Sequence, residues 1–145
     1  LYTHGFLRTH IDRVVEDSFQ KDQNLSVAIF RIQNLEEINR EYGYAVGDQI
    51  LNQVGSIIGM LVRGEDVPAR HGGTEFAIIL PNTSPHSAHY VVNRIIGVIE
   101  STEFPSPHPE IPIHVSLSSN VAGLDIGDTG VRLLEKAKEH LAPAA

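Results

Sequence analysis

Three groups of residues in this chain carry side chains whose types and spacing suit polar chemistry. Arg63-Gly64-Glu65-Asp66, with Arg94 further on, places a guanidinium and a carboxylate three residues apart. Taken alone, such a pair is a surface ion pair worth about 0–1 kcal/mol, yet the planar fork of an Arg also bonds two oxygens of one anion at once. Asn39 and Asp48 flank Gly43 and Gly47 and support two readings: their side chains hydrogen-bond the turn backbone, or they offer an amide and a carboxylate to a ligand. His71-Gly72-Gly73-Thr74-Glu75-Phe76 sets two glycines between segments of strand character, the pattern of a hairpin turn, with a hydroxyl and an acid at its exit. Of the eight His, only His86 and His89 share a helical face. No carboxylate joins them in that turn and two ligands do not close a site, so no metal is expected there. The chain has no Cys, which excludes thiolate zinc sites, disulfides and covalent thiol catalysis.

The 145 residues, 41% hydrophobic and 20% charged, suit one domain with a sizeable core. A formal charge of −7 argues against broad attraction to nucleic acid or an anionic membrane, so an anionic ligand needs a local cluster of Arg. No apolar run approaches the roughly 20 residues that cross a bilayer, and no signal peptide is evident. The expectation is a cytoplasmic domain. Both ends read as abrupt, so residues 1–145 are expected to be a single domain of a larger multidomain protein, with attachment of that protein to a membrane left open.

These residues must be positioned by alternating helices and strands. Phe6, Leu7, Ile11, Val14, Val15 and Phe19 recur at three and four, marking an amphipathic helix from Phe6 to Phe19. Leu25 to Ile32 reads as a central strand buried on both faces. A short helix is expected over Leu35 to Tyr42 and a longer one over Val46 to Val62, capped by Gly64. Val67 to His71 and Glu75 to Leu80 form the arms of the hairpin. Ser84 caps, and Pro85 opens, a helix that runs through Tyr90, Val91, Ile95 and Val98 to about Glu100. Phe104 to Pro112 is a Pro-rich loop, Ile113 to Val121 a strand, and Thr129 to Leu141 a terminal helix capped by Thr129. This order implies one sheet with helices packed on it.

Four blocks, with their spacing kept, resemble the GGDEF domain of bacterial diguanylate cyclases. They are Ile32 to Gly43 with Gly47-Asp48; Arg63-Gly64-Glu65-Asp66 ahead of Ala69-Arg70-His71-Gly72-Gly73-Thr74-Glu75-Phe76 and Pro81; Val92-Asn93-Arg94-Ile95; and Val115 to Val121. The resemblance covers nearly the whole chain. It implies an α/β fold of the α+β sandwich kind, with a mainly antiparallel central sheet and helices packed on it, similar to the nucleotidyl-cyclase, ferredoxin-like arrangement.

In active members two GTP-loaded domains meet and each 3′-hydroxyl attacks the other nucleotide's α-phosphate, assisted by divalent metal on carboxylates. The positions matching those carboxylates hold Arg31 and Thr74, and the family's triphosphate-contacting Lys corresponds to Glu36. The family's late basic residue in the last helix falls beyond Ala145, and its N-terminal motif is reduced to Leu1 to Arg8. The resemblance therefore implies no cyclase activity and no Mg²⁺ cofactor. Asn39 and Asp48 match the guanine-reading pair, a vestigial pocket. Arg63 and Asp66 match the RxxD inhibition motif that binds cyclic di-GMP in cyclases, and Arg94 matches a third contact. The implied function is a cyclic di-GMP receptor acting through Arg63, Asp66 and Arg94, with a homodimer or a dimer bridged by the ligand as the form that signals to other domains of the parent chain. Alternatives are a dimerisation or partner-docking module without ligand, and a GTP-binding regulator of an attached phosphodiesterase domain.

Overall fold

A computed structural model describes residues 1–108, 110–139 and 141. Helix α1 (His4–Gln20) precedes strand β1 (Leu25–Ile32), then come α2 (Leu35–Tyr42) and α3 (Tyr44–Leu61). Strands β2 (Val67–Arg70) and β3 (Glu75–Pro81) lead into α4 (Pro85–Glu100), followed by β4 (Leu117–Gly123) and α5 (Gly130–Lys138). The four strands form one sheet in the order β2-β3-β1-β4, every neighbouring pair antiparallel. With helices packed on it, this is an α+β fold.

Strand β1 holds the centre, and its alternation divides the core in two. Ala28, Phe30 and Ile32 join Phe76, Ile78 and Leu80 of β3 on the face covered by α2, α3 and α4. Val27 and Ile29 join Ala77 and Ile79 on the other, beneath Leu7, Ile11 and Val15 of α1 and Leu133, Leu134 and Ala137 of α5. Both faces are dry, which is why β1 reads as an almost unbroken apolar run. Tyr2 adds a parallel bridge on the outer edge of β2: its N–H donates to the Pro68 carbonyl at 3.0 Å, and its carbonyl accepts from the Arg70 N–H at 3.0 Å.

Local chemistry sets several boundaries. Thr3, Ser84 and Thr129 cap α1, α4 and α5 by accepting from the N–H groups of Phe6, Ser87 and Arg132. Gly43, at φ 93°, turns the chain between α2 and α3, so α3 begins at Tyr44 rather than Val46. Gly64 is not the cap of α3, which ends one turn earlier as Val62 takes extended geometry. The fourth strand also starts later than expected, at Leu117 rather than Ile113, and reaches Gly123. The Asn34 side chain donates to the His114 carbonyl at 2.9 Å and accepts from the Ser116 N–H at 3.0 Å. Those backbone groups are thus taken before the ladder begins at Leu117 opposite Ile32.

Two expected helix faces are also corrected. Phe6 and Phe19 stay exposed on α1, and Tyr90 and Val98 on α4, because the buried stripes run through Leu7, Ile11, Val15 and Ser18, and through Ala88, Val92, Ile95 and Ile99. Helix α5 is described as far as Lys138; of the expected continuation to Leu141, residue 140 lies outside the described residues.

Candidate ligand sites at the two ends of the sheet

The sequence-predicted residues separate to opposite ends of β3. Register pairs Arg31 with Glu75 at one end of the β1–β3 ladder and Leu25 with Pro81 at the other. The seven residues of β3, Glu75–Pro81, span that distance, roughly 20 Å.

At the Glu75 end the β2–β3 hairpin forms as expected, with Gly72 at φ 91° and the His71 N–H donating to the Glu75 carbonyl at 2.8 Å. Arg31 directs Nε and Nη2 at the same oxygen, Glu75 Oε2, at 3.2 and 2.7 Å. The pair is largely sheltered from solvent, the two side chains being 20% and 16% exposed. The other Glu75 oxygen has no hydrogen bond, although Lys138 Nζ stands 3.8 Å from it.

Beside this pair is a pocket of about 330 Å³ lined by Leu35, Glu36, Asn39, Arg40, Tyr44 and Thr74. Asn39 and Thr74 do come together there. Asp48 does not: it is exposed on α3 and forms no part of the lining. Asn39 Oδ1 is buried without a hydrogen-bond partner. Gly47 is what makes room for it, since a Cβ on Gly47 would stand 1.8 Å from that oxygen.

At the opposite end, Arg63, Asp66 and Arg94 line one pocket of about 300 Å³ together with Leu61, Tyr90 and Val91. The ion pair between Arg63 and Asp66 is not the exposed pair that the spacing alone suggests. The Asp66 side chain is 0% exposed. It accepts from the Arg63 backbone N–H at 2.8 Å and from the guanidinium at 3.2 Å through Nε and 2.9 Å through Nη2. Nη2 also donates to Thr83 Oγ1 at 2.7 Å. Hydrogen bonding to Asp66 raises the Arg63 pKa further above its already high ordinary value. Asp66 thus fixes the guanidinium in orientation, while the Arg63 side chain as a whole remains 45% exposed.

Arg94 arrives from α4 and donates through Nη2 to the Leu61 carbonyl at 2.6 Å, one of the open carbonyls at the end of α3. Tyr90, one helical turn before Arg94, is a lining residue that the sequence reading placed on the apolar face. It is 69% exposed and meets His86 edge to face at 5.3 Å. The signal that finds it is its i, i+4 spacing from Arg94. His86 and His89 are both exposed, and no group of three or more His, Cys, Asp or Glu suited to a metal occurs among the described residues.

The family described as diguanylate cyclase, GGDEF domain, matches residues 1–144. The chain belongs to the GGDEF family. Diguanylate cyclase A of Treponema denticola is 31% identical over 127 residues, which is 88% of this chain and 34% of that protein. The response regulator PleD of Caulobacter vibrioides is 28% identical over 145 residues, 99% of this chain and 32% of its own length. This GGDEF chain therefore spans about a third of these curated relatives. Its fold is similar to that of the GGDEF domain of DgcB from Caulobacter crescentus, solved in complex with c-di-GMP. The TM-score is 0.89 at 23% identity, over 94% of this chain and 81% of that one. No helix among the described residues is long and apolar enough to cross a membrane.

Proposed function

We propose that this GGDEF domain is a catalytically inactive receptor for cyclic di-GMP, bound through the site of Arg63, Asp66 and Arg94. The observation that carries this reading is the convergence of the three residues, from the end of α3, the start of β2 and the middle of α4, on one pocket with Tyr90. A cyclic dinucleotide offers two phosphates and two guanines. Arg63 and Arg94 match phosphate oxygens or guanine O6 and N7, and an exposed Tyr offers a stacking face. Asp66 serves by holding Arg63 in place. At about 300 Å³ the pocket sits at the low end of the range for small-ligand sites, about 300–1,000 Å³. It would seat part of a dinucleotide and leave the rest outside, an arrangement that suits a ligand bridging two copies.

The inactivity rests on the other end of the sheet. A metal-assisted phosphoryl transfer requires hard oxygen ligands, chiefly carboxylates. The residues present do not fit Mg²⁺: Arg31 places a cation beside Glu75 and occupies one of its oxygens, and Thr74 offers only a neutral hydroxyl. A second reading, GTP binding without turnover, is favoured by one observation, the unpartnered Asn39 Oδ1 beside the pocket of Thr74.

Calorimetric titration with cyclic di-GMP and with GTP tests both readings. Saturable heat with cyclic di-GMP that vanishes in Arg63→Ala and Arg94→Ala is expected. No heat, or equal affinity in both variants, removes the receptor reading. Sedimentation of the same samples reports whether the ligand joins two copies.

A further inference from the structure

Arg63 carries five N–H groups, and the fold has already committed three of them. Nε and one N–H of Nη2 form a fork on the Asp66 carboxylate at 3.2 and 2.9 Å. The second N–H of Nη2 goes to Thr83 Oγ1 at 2.7 Å, with the Pro81 carbonyl more distant at 3.4 Å. Thr83 is held in place for this bond: its hydroxyl donates to the Pro81 carbonyl at 2.8 Å, and its own carbonyl accepts from Ser26 Oγ at 2.8 Å. Thr83 and Ser26 are both buried. A guanidinium has two faces for two-pronged contact, its side through Nε and Nη2 and its end through Nη1 and Nη2. Both depend on Nη2, whose N–H groups are spent, so only Nη1 is left without a hydrogen bond among the described residues.

That nitrogen is where Glu65 stands. The Asp66 N–H donates to the Arg63 carbonyl at 3.1 Å and closes residues 63–66 into a turn. Glu65 is carried inside the turn, and its Oε1 lies 3.4 Å from Arg63 Nη1. The Glu65 side chain is 57% exposed and makes no hydrogen bond among the described residues. Such an ion pair contributes about 0–1 kcal/mol, so the carboxylate is readily displaced. Asp66, by contrast, is enclosed and holds the guanidinium by two bonds. Two acids of one short turn thus act in opposite ways on the same side chain. One fixes the guanidinium, and the other covers the part of it that remains available.

Given the receptor reading above, on which this rests, we propose that Glu65 competes with the ligand for Arg63, so that its carboxylate sets the affinity of the pocket. An anion approaching Arg63 can bond only Nη1 and must first move Glu65 off it. It then lies beside the displaced carboxylate, a like charge that opposes it. Arg94 is placed differently: it spends Nη2 on the Leu61 carbonyl and keeps Nε and Nη1 without hydrogen bonds among the described residues. Recognition is therefore divided between the two arginines, with Arg94 offering several N–H groups and Arg63 a single nitrogen under competition.

The test is calorimetric titration with cyclic di-GMP of the unaltered chain and of Glu65→Gln, which keeps the size of the side chain and removes its charge. The side chain is exposed in a turn, so the two chains should melt together. Affinity is expected to rise about three- to tenfold in Glu65→Gln, and the gain should shrink at about 0.5 M salt, where exposed charges are screened. In an Arg63→Ala background the same replacement should give no gain, since the acid then has nothing to cover. Binding by the unaltered chain with equal or lower affinity in Glu65→Gln, or an equal gain without Arg63, overturns the competition and leaves the receptor reading intact. Heat in Glu65→Gln alone upholds the competition as a pocket closed by its own acid. No heat in either chain removes the receptor reading, and the competition with it.

Discussion

Arg31 and Glu75 face each other across the β1–β3 ladder, and the guanidinium spends two N–H groups on one carboxylate oxygen. The arrangement ties β1 to the exit of the β2–β3 hairpin and makes the acid there half of an ion pair. Arg31→Ala should therefore destabilise the fold by about 1–3 kcal/mol, since a sheltered carboxylate is left with only Lys138 nearby. Chemical denaturation measures this. Neither this domain nor its Thr74→Asp variant is expected to form cyclic di-GMP from GTP and Mg²⁺, because the single replacement leaves Arg31 in place; chromatographic detection of product would contradict this.

Arg63 and Arg94 should separate stability from binding. Arg63→Ala leaves Asp66 buried without its guanidinium and should cost about 2–4 kcal/mol as well as affinity. Arg94→Ala removes an exposed side chain and one bond to a helix-end carbonyl, so about 0.5 kcal/mol or less is expected, with affinity for cyclic di-GMP falling about tenfold or more. Thermal melts beside calorimetry distinguish the two.

Tyr90→Ala is a sharper probe of how the ligand is held. An exposed aromatic that stacks on a base contributes about 1–3 kcal/mol to binding, so affinity should fall while the melting temperature stays put. Tyr90→Phe should bind nearly as the parent does. Loss in the Phe variant would mean that the hydroxyl, not the ring face, makes the contact.

Gly47→Ala should be costly, about 1–3 kcal/mol from overpacking, because its methyl would stand 1.8 Å from Asn39 Oδ1. Adding Asn39→Ala should recover most of the loss. A double-mutant cycle that shows simple additivity would deny that the two residues touch.

Burial, then the charges of Lys138, His4 and Arg8, push the His71 pKa down to about 4, which gives a pH dependence of definite sign. The unfolded chain takes up this proton near pH 6.5, so between 6.5 and about 4 it binds more protons than the folded state. Stability from this group is therefore complete above 6.5 and is lost as pH falls to about 4, a change of about 3 kcal/mol. His71→Gln should flatten the stability profile across that interval, measured by urea denaturation at a series of pH values.

Legibility in the sequence followed how local each feature is. Strand β1 and the Ser84-Pro85 helix start were readable because their causes lie within a few residues: a continuous apolar run and a cap followed by proline. The start of β4 was not, since it depends on an Asn34 side chain 80 residues away from His114. Periodicity gave the helices but not their phase: neighbouring elements decide which stripe is buried, so Phe6, Phe19, Tyr90 and Val98 were misassigned. For the candidate site, family resemblance grouped Arg63, Asp66 and Arg94, but nothing in an i, i+3 spacing reveals that the Asp is fully enclosed. Asp48 illustrates the reverse, a motif position that stays outside the pocket. The hydrogen bond between His4 Nδ1 and His71 Nδ1, at 2.9 Å, had no sequence signal at all.

The two hydrogen bonds that Tyr2 makes with β2 run alongside a strand in the same direction. Tension applied through the first residues along that axis would load both bonds together in shear instead of peeling them one by one. Strand β2 runs between Asp66 at one extremity and His71 at the other, so a load taken up at Tyr2 falls on the strand that adjoins both residues.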